Sequence, residues 1–82
     1  MDDIRIEYEF DHVKFMANIR AALGGKTTLR DIETATSVSA SSFSRVDNGG
    51  TLDMDTFMRV CARCNLTPGD YFRCVKWQRV EE

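Results

Sequence analysis

One proline, three cysteines, one histidine and no long apolar run set the first limits on this 82-residue chain. Nothing approaches the ~20 consecutive apolar residues of a membrane helix. The opening MDDIRIEYEF is acidic and lacks the basic and apolar regions of a signal peptide, so the expected location is cytoplasmic. An odd cysteine count (Cys61, Cys64, Cys74) without an export signal argues for reduced thiols rather than a disulfide framework. No nucleophile is paired with a base and no glycine-rich loop is built to cradle phosphate. The reading is therefore not an enzyme, with no cofactor, no metal and no small-molecule ligand expected.

What is present is ordinary globular material: 43% hydrophobic and 29% charged residues, enough for one small domain over residues 1–82. The net charge of −2 is unevenly spread. Asp2, Asp3, Glu7, Glu9 and Asp11 outweigh Arg5 in an acidic arm. Between residues 12 and 50, Lys14, Arg20, Lys26, Arg30 and Arg45 outnumber Asp31, Glu33 and Asp47. A mildly basic middle permits a nucleic-acid partner without demanding one.

Ile4, Ile6, Tyr8 and Phe10 alternate with charged residues, which predicts a short strand over 4–10. A lone strand needs a partner, and residues 75–80 of the same or another copy are the candidates. Asp11 caps a predicted helix through HVKFMANIRAAL, with Val13, Met16, Ile19 and Leu23 inward and Ala17 and Ala22 alongside, and Gly24-Gly25 ends it. Thr28 caps a short helix, Leu29–Thr36, whose buried side is Leu29, Ile32 and Ala35. Ser37-Val38 links it to a third helix capped by Ser39 and running from Ala40 to about Asp47, with Phe43 and Val46 inward. Asn48-Gly49-Gly50 is a strong stop. Asp53 caps a fourth helix with Met54, Phe57, Met58, Val60, Cys61 and Cys64 on its apolar side. Thr67-Pro68-Gly69-Asp70 has the form of a fifth helix start, continuing through Tyr71, Phe72 and Val75. The tail, 76–82, is ambiguous between helix end and strand. The predicted class is all-α and compact, five helices with a possible N-terminal strand and a C-terminal extension.

Five short helices with a three-residue link between the second and third resemble the Cro/C1-type helix-turn-helix domain of the XRE family, the lambda-repressor-like regulators of phages and bacteria. The resemblance covers roughly Asp11 to Phe72. With the motif starting at Leu29, Ile32, Val38, Phe43 and Val46 fill its apolar positions, and Ser37 its small ninth position. Three departures stand out. Glu33 occupies the usually-alanine fifth position, where its carboxylate must reach solvent or a cation such as Arg30 or Arg45. Leu29 replaces a common glutamine, and the link through Gly25-Lys26 is longer.

The resemblance implies sequence-specific binding of double-stranded DNA by a repressor-like transcriptional regulator. The recognition helix, 40–47, would lie in the major groove of a homodimer spanning half-sites about 34–36 Å apart. Ala40, Ser41, Ser44 and Arg45 are then the base-reading candidates, Arg45 foremost because a bidentate contact with guanine discriminates by ~1–3 kcal/mol. Lys26, Thr28, Arg30, Ser39, Ser42 and Asn48 are the candidates for the DNA backbone, the two caps because helix starts suit phosphates. The family pattern also implies a partly buried ion pair between Arg20 and Asp47. On the plainer alternative, Arg45 pairs with Asp47 or Glu33 and the serines are merely solvated. Dimer contacts fall to the Ile4–Phe10 strand or the Tyr71–Val80 tail, Phe10 and Trp77 being large apolar groups that so small a monomer does not fully cover. The rival reading, favoured by a pI near 5.3, is a protein-interaction module of the same fold: an antitoxin, antirepressor or adaptor holding a regulatory protein partner.

Overall fold

The computed structural model describes residues 3–25 and 28–80. In chain order it contains β1 (Asp3–Phe10), α1 (His12–Ala22), α2 (Leu29–Thr36), α3 (Ala40–Asp47), α4 (Met54–Cys64), a 3₁₀ turn (Pro68–Tyr71) and β2 (Phe72–Val80). The chain is thus mostly helical, and no helix among the described residues is long and apolar enough to cross a membrane.

Local chemistry explains each helix boundary. Asp11, Thr28, Ser39 and Asp53 each accept, through a side-chain oxygen, from the backbone N–H three residues on. Each satisfies one of the donors that a helix start leaves without an intrahelical partner. α3 ends in a Schellman arrangement: Gly49, at φ +94°, turns the chain so that its N–H meets the Val46 carbonyl and the Gly50 N–H meets that of Arg45. A Cβ on Gly50 would sit 2.9 Å from the Arg45 carbonyl oxygen, so this turn has no room for a side chain.

The predicted fifth helix does not form. Thr67 makes no side-chain cap bond, and Pro68–Tyr71 completes one 3₁₀ turn before the backbone extends. The next segment, FRCVKWQRV, is rich in aromatic and β-branched residues suited to a strand. It pairs antiparallel with β1 of the same chain, from Phe10↔Phe72 to Asp3↔Val80. The class is therefore helical with a two-stranded sheet rather than all-α. Tertiary pairing gives both segments the backbone partners that neither has alone.

The core contains Phe15, Met16, Ile19, Ile32, Phe43, Val46, Phe57, Val60, Cys61, Cys64 and Tyr71. Several expected inward positions are corrected. Val13, Ala17 and Ala22 are exposed, because α1 turns Phe15 inward, an aromatic ring that buries more apolar area than valine or alanine. In α2 the buried neighbour of Ile32 is Thr36 rather than Ala35. The Thr36 hydroxyl donates to the Ile32 carbonyl at 2.7 Å and accepts from the Val38 N–H, so its burial leaves no orphaned polar atom. Met54 and Met58 lie on the exposed flank of α4.

At the base of the ribbon, Phe10 and Phe72 pack against Phe57, and Phe10 also against Phe15, with ring centroids 5.1–5.7 Å apart. Phe10 is half-buried in this cluster. The Trp77 side chain lies outside what the structure describes. Asp11 N–H donates to the Tyr71 carbonyl at 2.7 Å, tying the start of α1 to the start of β2. Asn18 donates to the buried Tyr71 hydroxyl at 3.0 Å.

Candidate nucleic-acid interface

The α2–turn–α3 unit is positioned by its inner face. Ile32, Phe43 and Val46 are fully buried, and Val38 packs on them from the turn. Burying the two α3 side chains is worth on the order of 3–5 kcal/mol and fixes the rotation of that helix. The opposite side, with Ser41, Ser44 and Arg45, is thereby presented outward: Ser41 and Arg45 are exposed, Ala40, Ser42 and Ser44 half-buried. Ser37 makes the turn in a left-handed conformation, φ 62°, and its N–H donates to the Glu33 carbonyl at 2.8 Å.

Glu33 meets neither cation. Its Oε2 accepts from the Ala40 backbone N–H at 3.1 Å, so a carboxylate of α2 caps the first turn of α3. A negative group is favourable there because the helix dipole is positive at that end. Ser39 serves the same turn: its Oγ accepts from the Ser42 N–H and lies 2.8 Å from Ser42 Oγ and 3.2 Å from Ser41 Oγ. The start of α3, expected to offer N–H groups to phosphate, thus has the Ala40 and Ser42 donors engaged by the protein's own side chains. Thr28 is likewise occupied as the cap of α2, bonded to Asp31 N–H at 3.1 Å.

At the other end, Arg20 donates from Nη2 to Asp47 Oδ2 at 3.1 Å, with the two side chains 29% and 35% exposed. Asn48 Nδ2 donates to the Ser44 carbonyl at 2.8 Å, holding that amide against the helix end. With Asp47 bonded to Arg20 and Glu33 to Ala40, Arg45 makes no ion pair among the described residues, nor does Arg30. Lys26 lies outside the described residues.

Arg45 lines a hollow of about 240 Å³ with Ser42, Thr51, Leu52, Asp53 and Thr56. The Gly49-Gly50 turn folds the chain back to bring Asp53 and Thr56 here, a proximity that sequence spacing does not signal. Asp53 accepts from the Thr56 hydroxyl at 2.6 Å and from its N–H at 3.1 Å, and these bonds hold its carboxyl below the ordinary 3.8. A second, more open hollow is lined by Arg30, Glu33, Thr34 and Ser37. The two arginines of this face are thus nearly balanced by Glu33 and Asp53.

Cys61 and Cys64 lie in the core, where burial pushes both thiols above their ordinary range; for Cys61 the neighbouring Cys64 adds to the effect. Among the described residues no group of three or more His, Cys, Asp or Glu side chains could hold a metal ion. No family model, curated protein or solved structure matches this chain.

Proposed function

We propose that the chain is a Cro/C1-like helix-turn-helix regulator that binds double-stranded DNA through α3 as a homodimer. The observation that carries the reading is Arg45: it is exposed on α3 with no ion pair among the described residues, while Phe43 and Val46 anchor the other side of the same helix. A guanidinium carried on an anchored helix and uncommitted at its tip suits bidentate contact with guanine. Ser41 and Ser44 add weakly coding contacts, and Ala40 meets a thymine methyl group. Arg30 supplies a phosphate contact beside them, joined by Thr28, Ser39, Ser42 and Asn48, and Lys26 completes the proposed backbone set. The engaged Thr28, Ser39 and Asn48 groups shift most of that load to arginine.

Selection of bound fragments from a genomic DNA pool, with wild type and Arg45→Ala, tests this. Wild type enriches a palindromic site, and the variant loses ten- to a hundredfold in affinity for it, equivalent to about 1–3 kcal/mol. Equal enrichment of the same sites by both proteins removes Arg45 as a reader. No enrichment by wild type at modest salt removes DNA as the ligand.

The second reading, a module that grips a regulatory protein, is favoured by one observation: Glu33 and Asp53 neutralise the face on which Arg30 and Arg45 stand. A salt dependence too shallow for several phosphate contacts would speak for it.

A further inference from the structure

Glu33 is an exposed carboxylate held in a fixed place. Its Oε2 accepts from the Ala40 N–H at 3.1 Å, a charge-assisted bond at the positive end of α3, and it forms no ion pair among the described residues. An ionised carboxylate has room for about four donors on its two oxygens, and Ala40 takes one of those places. The same side chain borders the open hollow of Arg30, Thr34 and Ser37 and so reaches solvent. The group is anchored at one oxygen and has acceptor capacity left over, at the turn of α3 that carries Ala40 and Ser41.

Such a group is unsuited to the DNA backbone, because phosphate has no donor to give a carboxylate and repels its charge. Base edges do have donors. In the major groove these are the amino groups of cytosine and adenine, and a carboxylate takes cytosine best, since adenine sets the acceptor N7 beside its amino group. The start of a recognition helix is the end that reaches base edges. The neighbouring hydroxyls compete poorly there: Ser39 Oγ lies within hydrogen-bond distance of both Ser41 Oγ and Ser42 Oγ, and a serine takes any base. Glu33 is ordered by Ala40 before any ligand arrives, which lowers the entropy cost of the contact.

We propose that Glu33 is a base-reading residue, its remaining acceptor capacity taking the amino group of a cytosine in the major groove. The inference rests on the DNA-binding reading and adds to it a second reader of opposite charge to Arg45. Arg45, in the last turn of α3, donates to guanine, while Glu33 accepts from cytosine beside the first turn. Ala40 and Arg45 are about 7.5 Å apart along the helix at about 1.5 Å per residue. That is about two base-pair steps of DNA. Each half-site therefore carries a preferred cytosine about two steps from the guanine that Arg45 reads.

Selection of bound genomic fragments, followed by titration of single-base variants of the enriched site, tests it with wild type, Glu33→Gln and Glu33→Ala. Wild type loses about five- to tenfold in affinity when that cytosine is replaced. Glu33→Gln keeps an acceptor for Ala40 and gains an amide donor, so its preference at this position moves from cytosine to adenine. Glu33→Ala binds all four bases there alike and keeps its dependence on the guanine. Hydrogen exchange on the free protein checks the anchor: the Ala40 amide exchanges faster in Glu33→Ala than in wild type, and Glu33→Gln stays close to wild type. A wild type that enriches a site whose base preferences all survive both substitutions overturns the inference and leaves DNA binding standing. So does a Glu33-dependent position that prefers guanine or thymine, or an Ala40 amide indifferent to Glu33→Ala. A wild type that enriches no site overturns the inference and the DNA-binding reading together.

Discussion

The helical body and the β1–β2 ribbon bury their apolar residues by opposite means. In the body, four helices close around eleven buried residues, and every turn is fixed by a cap or a left-handed residue. In the ribbon, two strands from the ends of the chain share one ladder, and the helices cover its first cross-strand pair. The first arrangement is complete within the chain. In the second, Tyr8 and Val75 stand exposed beyond that base, which makes one region a scaffold and the other a surface.

Breaking the body has the largest expected effect. Phe15→Ala empties a fully buried site among Phe10, Phe57 and Tyr71 and costs about 3–5 kcal/mol. A chain of this length has a total stability of that order, so thermal and urea melts show it largely unfolded. Val75→Ala, in the ribbon, changes the melt by no more than about 0.5 kcal/mol. A comparable loss for both would erase the distinction between scaffold and surface.

Gly50→Ala comes next. Its new Cβ meets the Arg45 carbonyl, a backbone atom that cannot move without unwinding the end of α3. The expected cost is about 1–3 kcal/mol in urea unfolding, with a drop in DNA affinity beyond that cost if α3 is the reading element.

Smaller still is the reward at Ser37, a non-glycine residue held at φ 62°. Ser37→Gly removes the left-handed strain but frees the unfolded chain, leaving about 0.5 kcal/mol of net stabilisation in the melt.

The subtlest effect is one of pH. Asp53 titrates below 3.8 in the folded chain because it accepts from the Thr56 hydroxyl and N–H. A depressed carboxyl stabilises the fold above its unfolded pKa, and that contribution is lost as pH falls through the folded value. The difference in melting temperature between wild type and Asp53→Asn is therefore constant from about pH 5 to 8 and narrows below about pH 4. Arg73→Ala, by contrast, breaks the exposed Glu9 pair in the ribbon and leaves the melt unchanged.

Much of the body was legible in the residues themselves. Short polar residues before apolar runs mark the four helix starts, glycine and asparagine mark the ends of α1, α3 and α4, and helical spacing identifies Ile32, Phe43 and Val46 as the anchors of α2 and α3. These signals are local: a cap acts within three residues and a helical face repeats within four. The same locality explains the errors. Thr67-Pro68-Gly69-Asp70 has the chemistry of a helix start. Nothing in its own neighbourhood says that β1, at the far end of the chain, will capture Phe72–Val80 as a strand.

For the candidate site, the sequence by itself determined which side chains α3 can present and which must anchor it. Tertiary structure decided which of them remain available. Asp47 is taken by Arg20, Ser39 by its own helix, and Glu33 by the Ala40 N–H rather than by a cation. The Ser39 cap is local, whereas the Glu33 and Asp47 contacts depend on distances between helices, which helical periodicity alone does not carry. The bulge at Val75 belongs to the same class. It exists only in the pairing of two strands, where it shifts the register by one residue.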